Sequence, residues 1–134
     1  MSERLTFDSE AILAFYLRED GGEIVKEFLK KVEKGNAEGL MNIVNLTEIY
    51  YILYRKKPVL AEEKCNAIRI IGVKIVPLED VGIWRRAAQI KGEYPLSLAD
   101  AFAVATAEAS KSTLVIGGDK EFTGLNCKFL KIRG

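Results

Sequence analysis

The chain has 134 residues, with 20 Lys and Arg against 19 Asp and Glu, two cysteines and no histidine. Without an imidazole there is no Ser-His-Asp or Cys-His catalytic arrangement, no His-ligated zinc and no histidine base near neutral pH. Any catalysis must run on carboxylates, Lys, Tyr, Ser/Thr or a bound metal. A formal net charge of +1 neither demands nor forbids an anionic partner, and with 49% apolar residues the length fits one domain with a sizeable core.

In chain order, Arg4 to Phe7 is β-compatible, and Asp8-Ser9 offers a helix start before the apolar run Ala11 to Leu17. Gly21-Gly22 breaks the chain. Ile24, Val25, Phe28, Leu29 and Val32 then recur at helical spacing until Gly35-Asn36. Leu40 to Val44 reads as a second strand, and Asn45-Leu46-Thr47-Glu48 as the opening of a helix that stops near Pro58. A further helix runs from about Leu60 to Ile71, where Gly72 supplies a left-handed stop. Val73 to Leu78 is a third strand candidate.

The next helix, about Asp80 to Lys91, turns Val81, Trp84, Ala88 and Ala87 inward, with Trp84 in the core. Ala at alternate positions from Ala99 to Ala109 mimics a strand, but alanine is the best helix former and a poor strand former, so a close-packed helix is expected. Thr113 to Ile116 is a fourth strand, Gly117-Gly118-Asp119 a turn, and Cys127 to Ile132 a final strand. Strands alternating with helices at this spacing imply an α/β fold, a mostly parallel sheet with helices on both faces. No linker or repeat suggests a second domain, so residues 1–134 read as one.

Cys65 and Cys127 lie far apart with no CxxC spacing, and no secretory segment precedes Leu5 to Phe7. Reduced thiols serving as small core hydrophobes in a cytoplasmic protein are expected. No uncharged stretch approaches the ~18 apolar residues of a transmembrane helix, so no membrane partner is expected.

In open parallel sheets the functional crevice lies outside the carboxyl ends of the strands. Four acids are expected there: Asp8 directly after strand one, Glu48 in the first turn after strand two, Asp100 opening a helix after Tyr94-Pro95, and Asp119 after strand four. Each has a bland reading. Asp8 or Ser9 suits a helix cap, Asn45-x-x-Glu48 and Ser97-x-x-Asp100 resemble reciprocal capping boxes, and Asp119 suits a turn. Convergence on one edge is what those readings leave unexplained. Two unit charges ~4 Å apart repel by about 4 kcal/mol at an effective dielectric near 20, so such a cluster calls for a cation. Oxygen ligands without His or Cys select a hard ion, Mg2+ or Mn2+, which suits in-line hydrolysis of a phosphodiester.

Outside the quartet the chain keeps a surplus of basic side chains, with clusters at Lys30-Lys31, Arg55-Lys56-Lys57 and Arg85-Arg86 that suit a phosphate backbone. The basic triplet equally suits a solvated helix end. Tyr50, Tyr51 and Tyr54 suit either stacking on single-stranded RNA or, the favoured reading, core and partner-interface packing.

FDSEAILAFYL, NLTEIYYIL, PLSLADAFAVATA and LVIGGDKEF, in this order over about Leu5 to Ile132, resemble the motifs of the PIN-domain ribonucleases, and specifically their stand-alone VapC-type toxins. The resemblance implies a three-layer α/β/α fold, with Asp8 and Asp100 as the principal metal-binding acids and Glu48 and Asp119 completing the pocket. It also implies Mg2+- or Mn2+-dependent endonucleolytic cleavage of RNA, commonly with homodimerisation and inhibition by a co-expressed antitoxin. This chain departs from many relatives in one place: Ile116, Gly117 and Gly118 supply no hydroxyl before Asp119. Two other readings are a non-catalytic PIN-like RNA-binding or scaffold protein and, last, a phosphatase with an aspartyl nucleophile, which Asp8-Ser9-Glu10 fits poorly for want of a second Asp.

Overall fold

The computed structural model describes residues 3–118 and 124–134, so Asp119 lies outside the described residues. Five parallel strands form one sheet: β1 (Glu3–Phe7), β2 (Ala37–Asn42), β3 (Lys74–Val76), β4 (Thr113–Ile116) and β5 (Lys128–Lys131), in the order β3-β2-β1-β4-β5. Between them run α1 (Ser9–Tyr16), α2 (Gly22–Glu33), α3 (Ile43–Lys56), α4 (Pro58–Ile71), α5 (Val81–Glu93) and α6 (Leu98–Ser110).

Alternation along the strands feeds two cores. Leu5, Phe7, Met41 and Val115 pack under α1 to α4. Leu40, Val76, Leu114 and Ile116 pack under α5 and α6. The expected three-layer α/β/α arrangement is therefore the one observed. The chain winds outward from β1 through β2 to β3, then returns to place β4 on the other side of β1. That reversal of strand order, between β1 and β4, is where open α/β sheets form a crevice.

Three expectations change. β2 ends at Asn42, and α3 begins at Ile43, because Asn42 caps it: its side-chain oxygen accepts from Val44 N–H at 2.9 Å. Ile43 and Val44 are therefore helical, and Glu48 sits in the second turn of α3 rather than the first. Pro58 opens α4, where its fixed φ and missing N–H cost nothing.

The inward face of α5 is also displaced. Ile83, Ala87 and Ile90 are buried, whereas Val81, Trp84 and Ala88 are exposed. Trp84 is 42% exposed, with the Arg85 guanidinium 5.6 Å from its ring. The buried side of α5 shares a cluster with Ala101, Ala103, Ala105 and Ala107 of α6, and helices that close leave no volume for an indole. The alanine-rich segment itself is helical as expected, and eight consecutive residues of α6, Asp100 to Ala107, are buried.

Both cysteines are free and half-buried beside the two cores, and burial pushes the Cys127 thiol up to about 12. Among the described residues no helix is long and apolar enough to cross a membrane.

Candidate functional site

The carboxyl edge of the sheet is built from two helix N-termini. β1 runs straight into α1 through Asp8, whose backbone N–H donates to Val115 O at 3.1 Å and so continues the β1–β4 pairing by one residue. Asp8 is 2% exposed, and its Oδ1 accepts from Ala11 N–H at 2.7 Å as the N-cap of α1. The capping reading holds for this residue, at the carboxyl end of β1.

At α6 the work is divided. Ser97 is the N-cap, its Oγ accepting from Asp100 N–H at 3.1 Å, and Asp100 stands in the first turn, 6% exposed. Each acid lies at a helix N-terminus, where the exposed N–H groups and the macrodipole favour negative charge by about 0.3–1 kcal/mol.

Asn45 joins these two ends. It is 1% exposed on α3, and its Nδ2 donates to Ser9 Oγ at 3.2 Å and to Ala99 O at 3.0 Å. Ser9 Oγ in turn donates to Asn45 O at 3.2 Å. Ser9 follows Asp8 and Ala99 precedes Asp100, so one amide holds the neighbours of both acids. The capping box expected of Asn45 and Glu48 does not form, because the cap of α3 is Asn42. Glu48, half-buried, lies one turn beyond Asn45 on the same flank of α3. Asn45 Oδ1 is buried and has no hydrogen-bond partner among the described residues, a state that costs about 1–3 kcal/mol in an ordinary interior.

The exit of β4 is walled by a pair that the sequence did not single out. Arg133 Nη2 donates to Glu10 Oε1 at 2.6 Å, Arg133 Nη1 to Asp20 O at 3.0 Å, and Arg133 N–H to Gly117 O at 3.1 Å. A Cβ on Gly117 would stand 2.2 Å from Glu10 Cδ, and one on Gly118, whose φ is +140°, 2.0 Å from Arg133 O. The absence of a hydroxyl directly before Asp119 thus has a steric reason: at 118 the Arg133 backbone oxygen stands where a Cβ would go, whereas at 117 the space is taken by the end of the Glu10 side chain. The ion pair links the first turn of α1 to the C-terminal residues and the loop leaving β4.

The donor set at this edge is oxygen only: the Asp8, Asp100 and Glu48 carboxylates. That chemistry fits a hard divalent cation that retains several waters. Among the described residues no three His, Cys, Asp or Glu side chains are close enough to hold a metal by themselves. A depression of about 770 Å³ lies at the opposite, amino edge of the sheet, among Glu3, Arg4, Glu108 and Lys128, and contains none of the candidate acids.

The basic and aromatic clusters divide. Arg86 is held by Glu108 through two bonds of 2.8 and 3.3 Å, which removes it from the charge offered to a phosphate backbone. Tyr51 and Tyr54 are exposed, at 43% and 51%, so neither is core; Arg55 stands 5.0 Å over the Tyr51 ring. Tyr50 stacks on Tyr54 and donates to Glu62.

Three comparisons with known proteins bear on this edge. The chain is similar to VapBC2 from Rickettsia felis bound to a promoter DNA fragment (18% identity, TM-score 0.72, 96% of this chain and 98% of that one). It is similar to FitAcB from Neisseria gonorrhoeae (20%, 0.71, 96% and 97%) and to VapC20 from Mycobacterium tuberculosis, described as a sarcin-ricin loop cleaving toxin (14%, 0.68, 91% and 96%). At such identities these likenesses establish the fold. A search of curated proteins found no significant match. The PIN domain family model matches residues 5–126, nearly the whole length over which the sheet, its switch point and the acid-bearing helix starts are built, and the chain belongs to the PIN domain family.

Proposed function

We propose that this protein is a metal-dependent RNA endonuclease and the toxin of a type II toxin–antitoxin pair. The observation that carries the reading is the seam at the sheet's switch point, where Asn45 ties the turn bearing Asp8 to the turn bearing Asp100. Two buried acids stand at helix N-termini whose turns one amide joins, with Glu48 one turn along α3, and oxygen donors of this kind suit a hard divalent cation. Support for RNA as substrate comes from the structural relative described as a sarcin-ricin loop cleaving toxin. Support for an antitoxin partner comes from the toxin–antitoxin complexes among the structures of this fold.

In this reading Asp8 and Asp100 hold Mg2+ or Mn2+, Glu48 binds it or orients a water, and Asp119 helps to position water or a second ion. Bound there, the cation lowers the pKa of a coordinated water and neutralises charge on the phosphoryl oxygen. Asp8 contributes its carboxylate from the N-cap of α1. With no histidine in the chain, the leaving oxygen takes its proton from solvent. The protein acts in the cytoplasm as a homodimer, with Arg55, Lys56 and Lys57 available to RNA phosphates.

The test is cleavage of a broad RNA panel by purified protein with Mn2+, with Mg2+ and with EDTA. Metal-dependent cuts that vanish in Asp8→Asn and Asp100→Asn are expected. An uncut panel, together with unchanged growth inhibition by Asp8→Asn in cells, overturns the reading in favour of a scaffold.

A further inference from the structure

A side-chain amide offers two N–H donors and one oxygen acceptor. Asn45 uses both donors, on Ser9 Oγ and Ala99 O, and leaves its buried Oδ1 without a partner among the described residues. A joint made only for stability has cheaper solutions. An apolar side chain of the same volume would remove the unpaired acceptor, and α3 has no need of Asn45 as a cap because Asn42 performs that task. What an apolar residue could not do is hold two separate turns in register by directional bonds. Those turns are the ones that carry Asp8 and Asp100.

We infer that Asn45 is a positioning residue for the acid pair. It sets the spacing of the Asp8 and Asp100 turns so that a divalent cation meets its ligands already arranged, and it does so without being a ligand itself. The inference rests on the metal-dependent reading above. Ligand geometry must be held to within about 0.5 Å to be productive, and the outer groups that hold ligands typically govern metal affinity by about 10–100-fold. Ser9 shares the role, since it both accepts from Asn45 Nδ2 and donates to Asn45 O.

The experiment is calorimetric titration of the full chain with Mn2+, alongside melting of the metal-free protein in EDTA. Wild type, Asn45→Leu, Asn45→Ala, Ser9→Ala, the Asn45→Leu/Ser9→Ala double variant and Asp100→Asn are compared. Asn45→Leu is expected to bind Mn2+ about 10–100-fold more weakly, while its metal-free melting temperature stays near wild type or rises. Ser9→Ala is expected to weaken binding in the same direction, with no further loss when added to Asn45→Leu, because the two act through one joint. Should Asn45→Leu fail to fold, Asn45→Ala provides the measurement, since it loses the donors and adds no charge. The inference is overturned if the Asn45 variants bind Mn2+ as wild type does while Asp100→Asn does not. It is likewise overturned if affinity falls only in step with melting temperature, as for a structural residue. Wild-type protein that takes up no Mn2+ brings down the functional reading, and the inference with it.

Discussion

The starts of α1 and α6 solve one problem in two ways. Both are helix N-termini at the carboxyl edge, and both bury an aspartate. At α1 the aspartate is itself the cap, with Oδ1 2.7 Å from Ala11 N, whereas at α6 Ser97 does the capping and Asp100 stands three residues on. One acid therefore combines a structural role with its place in the candidate site, and the other is relieved of the first. The difference teaches that "cap" and "site" are not competing descriptions of an acid at a helix start. It also separates what substitution at each position should cost.

The largest effect expected is on activity, and it should not respect that difference. Asp8→Asn and Asp100→Asn each remove one candidate ligand charge, so RNA cleavage in single-turnover assays should fall by at least about 100-fold in both. Equal losses, with far-ultraviolet circular dichroism unchanged, would place the acids in one site. A large loss at Asp100 beside a negligible one at Asp8 would reduce Asp8 to a cap.

Next in size is Gly117→Ala. Its Cβ would meet Glu10 Cδ at 2.2 Å, so Glu10 must move and its 2.6 Å bond to Arg133 must open. Displacing this partly buried ion pair, rather than overpacking a core, costs about 1–2 kcal/mol, read as a lower urea midpoint at constant slope. Glu10→Ala in the same chain should restore part of the loss because it removes the group collided with. Additive losses in that cycle would mean that the Glu10 carboxyl does not occupy this space.

Ser97→Ala should be milder. Removing a serine cap costs about 1 kcal/mol, and a frayed first turn shifts Asp100 as well, so melting temperature and Mn2+ affinity should both fall. Loss of stability with unaltered Mn2+ binding would show that Asp100 is held by other contacts.

Much of this was legible in the sequence, for identifiable reasons. Short apolar runs, glycine stops and capping types in register with apolar periods gave the strand–helix alternation, and the rule about carboxyl edges then placed Asp8 and Asp100 after β1 and at the start of α6. The errors fall where two local solutions were equally good. Asn42 and Asn45 are both capping residues three apart, and pairing of β2 with β1 through Leu40 and with β3 through Asn42 decides between them. On α5, faces centred on Trp84 and on Ile83 are both apolar, and the close approach of α6 decides. The role of Asn45 was not legible at all, since its partners Ser9 and Ala99 lie 36 and 54 residues away. Nor was the contact of Glu10 with Arg133, 123 residues apart. Local propensity cannot report bonds of that range.

The smallest effect bears most directly on the comparison. Asparagine caps as well as aspartate, so Asp8→Asn should keep the bond from Ala11 N–H. It gives up the charge at the α1 N-terminus, worth about 0.3–1 kcal/mol, and gains relief from repulsion by the other acids, a term of opposite sign. In EDTA its stability should therefore stay within about 1 kcal/mol of wild type. Asp8→Ala loses the cap too and should fall about 1 kcal/mol below Asp8→Asn. At position 100, where Ser97 carries the cap, the Asn and Ala variants should differ by less than the pair at position 8. If the two positions show the same gap between Asn and Ala, the division of labour between Asp8 and Ser97 is not real in solution.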